Sequence, residues 1–528
     1  MPSAGGPAAR AAAAGLAVLL LLAACTGDDG PGGGPTTSSG PPADGGTLRL
    51  GLGEDLVVDP LEASLASPSE LMVLDLLHDG LTSVDADGVA QPALATRWES
   101  NDEHTVFQFR LDPEGSFASG APITPAAVVA SLERVMELGD RSLVALSLEA
   151  VKGFRAFATG EADHVSGLSV RQGGFVRFEL ATPLSVLPLI LSDPLLSVVD
   201  SESIAEASVT DVDLSGGWSV ASDADDVVRV ERGDGTPGTL AAVELRTFED
   251  IDAAYNAFED GDVDWAPVPT ERYDDAVEAH GDDDFAPFHA ELFFGMNVKS
   301  PSLESAPLRN AISLAIDRDA IVEEVYAELA DPLETVVPRG VVGHDPDRCA
   351  ACAHDPEHAA DIIDYGYPDG TPTVRIDFDQ SAAQEQMAEL VAEDLEAVGI
   401  TTELRPLPFE EYKEFVVSGD QELFSFGWIG AYSSPDAYLA PLFGSAANDN
   451  LTRYRSQLVD RFLLEARADA DPENLAARWA QAEGRVLSGW VVVPIAQFRT
   501  QVVVADRVEG FAHAVDGTVD WSQVTLTS

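Results

Sequence analysis

The most informative stretch of this sequence is LRNAISLAIDR, residues 308–318. Its apolar residues recur at intervals of three and four, which is the spacing of one helical face packed against a core. These residues are Leu308, Ala311, Ile312 and Ala315. Asp317 and Arg318 follow as a polar exit from the helix. The stretch therefore predicts a packing helix, and it does not predict a binding or catalytic site.

Strand-like and helix-like segments alternate on both sides of this helix. Alternating apolar and polar residues predict strands over 47–52, 105–111, 176–180, 243–248 and 400–404. Apolar residues at helical spacing predict helices over 68–77, 251–258, 319–329 and 384–398, and another that begins at Thr124-Pro125. This order predicts an α/β fold with mixed sheets.

The charge of the chain excludes several classes of partner. Its 528 residues include 91 Asp and Glu against 30 Lys and Arg, for a formal net charge of −61. Such a surface repels phosphate backbones and anionic lipids, so we expect no nucleic-acid partner and no polybasic attachment to a membrane. Like charges also favour a solvated monomer when salt screens them. The acidic composition is typical of a halophilic protein or of a GC-rich genome, and both interpretations stay open.

The N-terminus has the pattern of an export signal. A short region ending at Arg10 precedes an apolar run of about 14 residues, which is too short for a permanent membrane span. The run ends in Leu-Ala-Ala-Cys, which resembles the lipobox of bacterial lipoproteins. We expect residues 1–24 to be a signal peptide, Cys25 to carry lipid, and 25–46 to be a flexible tether. An ordinary secretory signal with an incidental cysteine is the alternative.

Cys349 and Cys352 lie in the segment CAACAHDPEH, which allows four interpretations. They are a zinc site, an H-x-x-E-H metalloprotease pattern, a redox dithiol and a disulfide within the loop. Asp355-Pro356 has the pattern of a helix N-cap followed by proline. His354 would then lie outside the helix, and its spacing to His358 would not serve a metalloprotease. In an exported chain we favour the disulfide between Cys349 and Cys352.

Common catalytic motifs are absent from the sequence. It contains no G-x-S-x-G elbow, no H-E-x-x-H pair and no phosphate-binding Walker loop. Asp260, Asp262, Asp264 and Glu271 match four positions of a calcium loop, but Trp265 stands where that loop needs glycine. We therefore predict no catalytic residue and no metal site, and we expect a protein that is not an enzyme and uses no cofactor.

Several dispersed segments together resemble one protein family. They are Gly80-Leu81, PALA at 92–95 with Trp98, FASGAPIT at 117–124, AYNAFEDGDVD at 254–264, FGMN at 294–297, LRNAISLAIDR at 308–318 and FGWIG at 426–430. In this order and spacing they resemble the extracytoplasmic solute-binding proteins of ABC importers, specifically the oligopeptide, dipeptide and nickel-binding family 5. The resemblance covers the chain from about residue 47 to the C-terminus.

The resemblance implies a fold like that of type II periplasmic binding proteins, with two α/β lobes, a hinge and an extra small domain on the N-terminal lobe. We expect the N-terminal lobe to comprise 47–70, 195–290 and 495–528, the extra domain 71–194, and the second lobe 291–494. The implied function is that of a receptor, lipid-anchored on the periplasmic or cell-surface side of the membrane. It would enclose a solute between its lobes and deliver it to the permease subunits of an importer.

The resemblance also indicates where the solute binds. The expected contact residues are Trp428, Ile429, Gly430, Ala431, Tyr432 and Ser433. In peptide-binding members the third residue after this Trp is typically an Asp that pairs with the α-ammonium of the ligand, whereas here it is Ala431. We therefore expect a peptide-family ligand that is not held by a free amine. Trp428 and Tyr432 offer flat faces for stacking, or they simply pack the second lobe.

Two other classes of protein remain open at this point. A secreted hydrolase would need a catalytic constellation that the motifs do not supply. A metal-chelate receptor would use His344, His354 and His358 together with the cysteines.

Overall fold

The computed structural model describes residues 45–527, apart from 86–87, 205–208, 210, 225, 350–351 and 470. The predicted signal peptide, Cys25 and all but the last two residues of the predicted tether lie outside the described residues. The rest forms two α/β lobes, each on a six-stranded sheet, and a smaller unit on a four-stranded sheet. This architecture confirms the predicted fold class. None of the helices among the described residues combines the length and the hydrophobicity of a membrane span.

The first lobe is built around the strand Thr47–Leu52. Across its sheet the strands are Val502–Val504, Trp265–Pro267, Thr47–Leu52, Ala242–Thr247, Val227–Arg232 and Trp218–Ala224. Its helices are Pro68–Leu77, Ile251–Glu259 and Tyr273–His280, with a 3₁₀ turn at Thr270–Arg272 and a two-stranded ribbon of Val508–Glu509 and Thr525–Leu526. Thr47–Leu52 runs parallel to both neighbours, so its alternating Leu48 and Leu50 are fully buried in the lobe core.

Asp264, one of the residues that match a calcium loop, is part of an ion pair in this lobe. Its carboxylate is 1% exposed and accepts hydrogen bonds from Arg49 at 2.6 Å and from Arg507 at 2.7 Å. Burial alone would raise the pKa of this carboxyl, but the hydrogen bonds from Arg49 and Arg507 outweigh burial and lower it. The two arginines therefore tie Asp264, which precedes the strand Trp265–Pro267, to the strand Thr47–Leu52 and to the segment that follows Val502–Val504.

The second lobe is built around the long strand Pro287–Met296. Across its sheet the strands are Ala330–Pro332, Val492–Arg499, Pro287–Met296, Leu423–Ile429, Val374–Asp379 and Thr402–Leu407. Its helices are Ala306–Ala315, Arg318–Ile321, Pro356–Gly366, Ala382–Ala397, Phe409–Ser418, Asp436–Phe443, Gln457–Arg467 and Pro472–Leu487, with a 3₁₀ turn at Pro346–Arg348. All residues of Pro287–Met296 after the first are buried, because separate apolar clusters cover the two faces of the sheet.

The helix predicted from residues 308–318 is present as Ala306–Ala315, and its apolar stripe is buried. Arg318, however, is not a polar exit, because its side chain is 4% exposed. Its guanidinium donates to the carbonyl oxygens of Pro494 at 2.7 Å and Cys352 at 2.8 Å. These carbonyl groups replace water around the charge, so the prediction that Arg318 leads into solvent is wrong.

The single helix predicted over 319–329 is also wrong. The short helix Arg318–Ile321 continues as a π-helical turn, Val322–Tyr326, and then as a 3₁₀ turn, Ala327–Leu329. Ala327 has a φ of 44°, which lies outside the right-handed helical region. The regular helix therefore ends about two turns earlier than apolar spacing indicates.

The smaller unit is an antiparallel sheet covered by short helices. Its strands are, in order, Ala95–Ser100, Val106–Leu111, Phe175–Glu179 and Leu168–Arg171. Its helices are Pro125–Met136, Leu143–Ser147, Phe154–Ala158 and Leu187–Ile190, with 3₁₀ turns at Gly139–Arg141 and Pro194–Leu196 and a ribbon of Thr82–Val84 and Ala90–Pro92. The predicted cap is confirmed, since Thr124 Oγ1 accepts from Ala127 N at 3.2 Å.

The chain passes between the two lobes at two adjacent places. Val268 N donates to Gln501 O at 2.8 Å, and Thr500 N donates to Ala286 O at 2.8 Å. The domain limits predicted at 290/291 and 494/495 fall inside Pro287–Met296 and Val492–Arg499, both strands of the second sheet. The domain limits stay a prediction. The chain crosses between the lobes just before Pro287, where one strand begins, and just after Arg499, where the other ends.

Candidate ligand-binding site

Residues 428–433 leave the strand Leu423–Ile429 and lead into the helix Asp436–Phe443. Trp428 is 3% exposed, and its Nε1 donates to the carbonyl oxygen of Ala437 at 2.9 Å. Its ring stacks on Phe426 with a centroid distance of 6.1 Å. The indole therefore fixes the end of the strand to the beginning of the helix.

Tyr432 belongs to a buried network with Asp436 and Arg467. The Tyr432 hydroxyl donates to Asp436 Oδ2 at 2.7 Å, and Arg467 donates to the two carboxylate oxygens at 2.7 and 2.8 Å. Asp436 is fully buried. Burial and the adjacent carboxylate raise the pKa of Tyr432 well above its usual value. The polar tip of Tyr432 is thus already satisfied inside the second lobe.

Gly430 has no room for a side chain. A Cβ there would lie 2.4 Å from Tyr438 Oη, and Gly430 N donates to His289 O at 3.0 Å. Ala431 is 8% exposed, so it too is buried. Ser433 Oγ donates to Asp516 Oδ2 at 3.2 Å, which connects this segment with a turn near the C-terminus.

The C-terminal turn, residues 513–519, contacts elements of both lobes. His289 N, on the strand Pro287–Met296, donates to Val515 O at 2.8 Å. On the other side, Val519 N donates to Asp75 Oδ2 at 3.2 Å. The charge of Asp516 in this turn also acts on Asp193, which precedes the 3₁₀ turn Pro194–Leu196 of the smaller unit. Burial and this charge raise the pKa of Asp193 to about 8. The turn is therefore a bridge between the first lobe and residues 428–433.

A cavity of about 290 Å³ lies where the three units meet. The first lobe contributes the loop 60–66, the smaller unit contributes residues of 135–144, and the second lobe contributes the end of Leu423–Ile429. The lining residues are Pro60, Leu61, Ala63, Ser64, Leu65, Ala66, Val135, Leu138, Arg141, Ser142, Leu143, Val144, Leu195, Gly427 and Ile429. The structure describes all six residues predicted to contact ligand, and of these Ile429 lines the cavity.

Two contacts hold the loop 60–66 against the other units. His289 Nε2 donates to Leu65 O at 3.3 Å, and Arg134 Nη2 donates to Asp59 Oδ2 at 2.7 Å. Burial lowers the pKa of His289 to about 4, so the ring is neutral at pH 7. The loop is therefore tied to the second lobe through Leu65, and Asp59, the residue directly before it, is tied to the smaller unit.

The lining is mostly apolar, with a small number of polar groups. Ser64, Arg141 and Ser142 bring polar side chains to it, and no Asp or Glu is among the lining residues. An apolar concave surface with a few placed polar groups is the usual form of a small-molecule site. Sequence reasoning missed the loop 60–66 and Arg141, because neither belongs to a motif and the three walls are far apart in the chain.

Two buried carboxyl groups lie deeper in the second lobe. Glu291 is fully buried, and neither of its carboxyl oxygens has a hydrogen-bond partner among the described residues. Glu483 accepts from Val336 N at 2.9 Å and lies 2.7 Å from Arg348 Nε. Burial, together with the charge of Glu483, raises the pKa of Glu291 well above its usual value. Burial therefore favours the protonated, uncharged form of Glu291.

The cysteine segment lies in the second lobe. The Sγ atoms of Cys349 and Cys352 are 2.11 Å apart, which is bonding distance. Asp355 caps the helix Pro356–Gly366 by accepting from His358 N at 2.9 Å, as predicted, and His354 precedes that helix. Among the described residues, no three His, Cys, Asp or Glu side chains are grouped as ligands for a metal ion.

Comparisons with known proteins agree with this architecture. Residues 89–450 match the model of the family described as bacterial extracellular solute-binding proteins, family 5 middle. The chain is 21% identical over 463 residues to the oligopeptide-binding protein OppA of Bacillus subtilis, covering 82% of this chain and 84% of OppA. It is 26% identical over 235 residues to heme-binding protein A of Haemophilus influenzae, covering 43% of this chain and 42% of that protein.

A solved structure shows the same fold. The unliganded open form of MppA, a periplasmic murein tripeptide-binding protein, superimposes with a TM-score of 0.81 at 18% identity, covering 91% of this chain and 97% of MppA. The family model matches well over half of the chain, and the relatives it resembles are binding proteins and not enzymes. The chain therefore belongs to the bacterial extracellular solute-binding proteins of family 5, as a receptor of the kind that serves ABC importers outside the cytoplasm.

Proposed function

We propose that this protein is a lipid-anchored receptor that captures a peptide-like solute without pairing with a free amine and delivers it to the permease subunits of an ABC importer. The observation that carries the proposal is the lining of the cavity, whose 15 residues include no Asp or Glu. Acidic residues outnumber basic ones by 91 to 30 in this chain. Composition alone would therefore favour a carboxylate on these walls.

A buried ammonium group needs a counter-ion, because taking it out of water costs several kcal/mol. At the position where peptide-binding members typically have Asp, Ala431 supplies only a methyl group. Both carboxylates that reach this segment are engaged. Asp436 accepts from Tyr432 and Arg467, and Asp516 accepts from Ser433 at 3.2 Å and from Thr518 at 2.7 Å. These contacts favour a solute whose amine is absent or blocked.

The proposed contact surface is the segment 428–433 together with the loop 60–66. Ile429 presents its side chain to the cavity. Trp428 and Tyr432 hold that surface in shape through their bonds to Ala437 and Asp436. The solute would pack between this surface and the smaller unit, which is consistent with capture at a junction of domains.

Calorimetric titration with a matched pair of ligands tests the proposal. We expect N-acetyl-leucyl-leucine to bind at least as tightly as unmodified leucyl-leucine, and a ligand at 100 times its Kd to stabilise the protein by about 2.7 kcal/mol. Tenfold tighter binding of the unmodified peptide would contradict the proposal. If Asp516→Asn then abolished that preference, Asp516 would be identified as the missing counter-ion.

The lipid anchor is proposed from the residues that precede Cys25. Detergent phase partitioning of the full-length protein tests it. We expect the wild-type protein in the detergent phase and Cys25→Ser in the aqueous phase. A variant that remained in the detergent phase would exclude lipid on Cys25 as the anchor.

The disulfide between Cys349 and Cys352 is proposed as a structural bond and not as part of a metal site. We expect no free thiol when the unreduced protein is denatured and titrated, since lipid would occupy the third cysteine. Two titrating thiols, or a metal ion retained by the protein in native mass spectrometry, would favour the metal-chelate receptor instead. The same mass measurement tests the proposed monomer.

Adaptation to high salt is proposed from the net charge of −61. Repulsion among surface carboxylates is screened within about 10 Å at 0.1 M salt and more strongly above that. We expect the melting temperature to rise between 0.05 and 2 M NaCl, because screening weakens the repulsion among the surface carboxylates of the folded protein. A flat or falling melting temperature would favour genome composition as the origin of the acidic surface.

A further inference from the structure

We infer that Arg141 selects solutes that carry an anionic group, such as a carboxylate, at the end that meets the smaller unit. The inference rests on the proposed function, because it concerns the solute bound in the same cavity. Arg141 is the lining residue that carries a charged side chain, and the other lining residues are apolar or carry a hydroxyl.

The guanidinium of Arg141 is held in place at the end of a helix. It ends the 3₁₀ turn Gly139–Arg141, which follows the helix Pro125–Met136. Its Nε donates to Leu138 O at 3.2 Å, and its Nη2 donates to Glu137 O at 3.3 Å. Carbonyl groups at a helix C-terminus carry partial negative charge and favour a cation. The side chain is therefore held in place by its Nε and Nη2 donors.

The Nη1 donors of the same guanidinium remain open to a ligand. Within the part of the chain that the structure describes, Nη1 of Arg141 has no hydrogen-bond partner and the guanidinium forms no ion pair. A guanidinium presents five N–H donors in a planar fork that matches the two oxygens of a carboxylate. An anchored arginine with donors to spare is suited to that recognition.

The turn around Arg141 brings a second donor to the wall. Gly139 has a φ of 53°, and a Cβ there would lie 3.0 Å from Ala158 Cβ, so the turn needs glycine. Ser142 follows directly and also lines the cavity. Its Oγ accepts from Ala145 N at 3.2 Å, which leaves the hydroxyl proton free to be donated. Arg141 and Ser142 together offer donors and no acidic group.

The charges next to Arg141 in the chain do not cancel it. Asp140 lies 3.8 Å from Arg155 Nη1, so its carboxylate is oriented toward another arginine. Neither Asp140 nor Glu137 is a lining residue. The chain has three times as many acidic as basic residues, so most of its surface carries a negative electrostatic potential. A positive group on an otherwise uncharged wall would make the potential at a bound solute positive.

The shape and lining of the cavity define the rest of the solute. A volume of about 290 Å³ suits a compact body, and Leu61, Leu65, Val144, Leu195 and Ile429 surround it with apolar side chains. The solute class is therefore a small apolar molecule with one anionic end, of the size and chemistry of an N-acylated dipeptide.

Titration calorimetry with N-acetyl-leucyl-leucine and its C-terminal amide tests the inference, because the two probes differ only in that terminal group, a carboxylate in one and an uncharged amide in the other. The comparison uses the wild-type protein, Arg141→Gln, Arg141→Lys and the matched control Arg171→Gln. Arg171 is an exposed arginine of the same unit that does not line the cavity. All four proteins are measured at 0.1 M and 1 M NaCl.

We expect the wild-type protein to bind the acid about tenfold more tightly than the amide, the effect of one charge-assisted contact. Arg141→Gln should lose this preference, Arg141→Lys should keep part of it, and Arg171→Gln should keep all of it. Equal binding of the two probes by the wild-type protein, or an unchanged preference in Arg141→Gln, would overturn the inference and leave the proposed function standing. Failure of both acylated probes, with binding of leucyl-leucine, would overturn the proposed function and the inference with it.

Discussion

The second-lobe wall and the smaller-unit wall of the cavity are built in different ways. The second-lobe wall is formed by Gly427 and Ile429, and behind it the polar atoms of Trp428, Tyr432 and Asp436 are all paired with other groups of the same lobe. On the wall formed by the smaller unit, Arg141 is anchored by two carbonyl groups and keeps donors available. The first wall is a rigid surface that gives shape, and the second supplies a charge.

The side chains that stabilise the site and the side chain that carries its charge therefore lie in different units of the molecule. The Gly-Trp segment is the part of the site that the family resemblance indicates. The polar atoms of its Trp428 and Tyr432 side chains, however, already form hydrogen bonds within the second lobe. A polar group that already has a hydrogen-bond partner contributes little free energy to ligand binding, because binding would have to break the existing contact. Changes on the second-lobe wall should therefore alter stability, whereas changes at Arg141 should alter selectivity.

Removal of the Asp436 carboxylate should have the largest effect. Asp436→Ala leaves the Tyr432 hydroxyl and the Arg467 guanidinium without their shared partner, so we expect the free energy of unfolding to fall by about 2–4 kcal/mol. Denaturant unfolding measures it. Asp361→Ala, an exposed aspartate of the same lobe, is the control and should stay within about 0.5 kcal/mol of wild type. Equal losses in the two variants would show that the network does not stabilise this wall.

Glu291→Gln should change how stability depends on pH. The pKa of Glu291 is raised in the folded protein, so between the unfolded and folded values the folded state binds more protons. Its contribution to stability is therefore present at low pH and is lost as the pH rises toward the folded pKa, by at most about 1.4 kcal/mol per pH unit. Glutamine mimics the protonated form and removes this dependence.

Unfolding measured from pH 6 to 8 tests this. We expect the wild-type curve to fall more steeply with pH than that of Glu291→Gln. Glu411→Gln, at an exposed position of the same lobe, should run parallel to wild type. Parallel curves for Glu291→Gln would mean that this carboxyl is already ionised inside the lobe.

Local signals in the sequence predicted much of the framework. The strand Thr47–Leu52 and the helix Pro68–Leu77 have the predicted bounds, because alternation, an N-cap serine and an N-terminal proline act within a few residues. Arg318 could not be predicted in the same way. Its burial depends on carbonyl groups of Pro494 and Cys352, which only the folded chain brings near.

The candidate site was predictable only on the side that a motif marks. Residues 428–433 follow a recognisable Gly-Trp pair, and the structure places Ile429 at the cavity. The loop 60–66 and Arg141 come from other units, and their contribution depends on how the three units meet. No periodicity or spacing in one sequence encodes that arrangement, so a predicted contact set centred on one segment is incomplete.

Trp428→Phe should have a moderate effect on stability and a small one on selectivity. Phenylalanine cannot donate to the carbonyl oxygen of Ala437, and it also fills less of the buried space. We expect a loss of about 1–2 kcal/mol in the free energy of unfolding. Trp98→Phe, at a half-buried tryptophan, is the control and should cost less. The preference between acidic and amidated probes should stay unchanged, and its loss would assign Trp428 a direct role in recognising the charge.

Arg141→Gln should have the smallest effect on stability, although it is the change we expect to matter most for selectivity. The substitution removes a cation from the C-terminal end of the helix Pro125–Met136, a contribution of about 0.5 kcal/mol at an exposed position. Chemical denaturation of Arg141→Gln beside Arg171→Gln measures this, and we expect the two variants to be nearly equal. A loss above about 2 kcal/mol would indicate that the guanidinium is part of the framework, as Asp436 is behind the second-lobe wall. The two walls would then be built alike, and a changed ligand preference in Arg141→Gln would have to be separated from partial unfolding of the smaller unit. A small loss together with a lost preference would establish the division between a wall that gives shape and a wall that supplies charge.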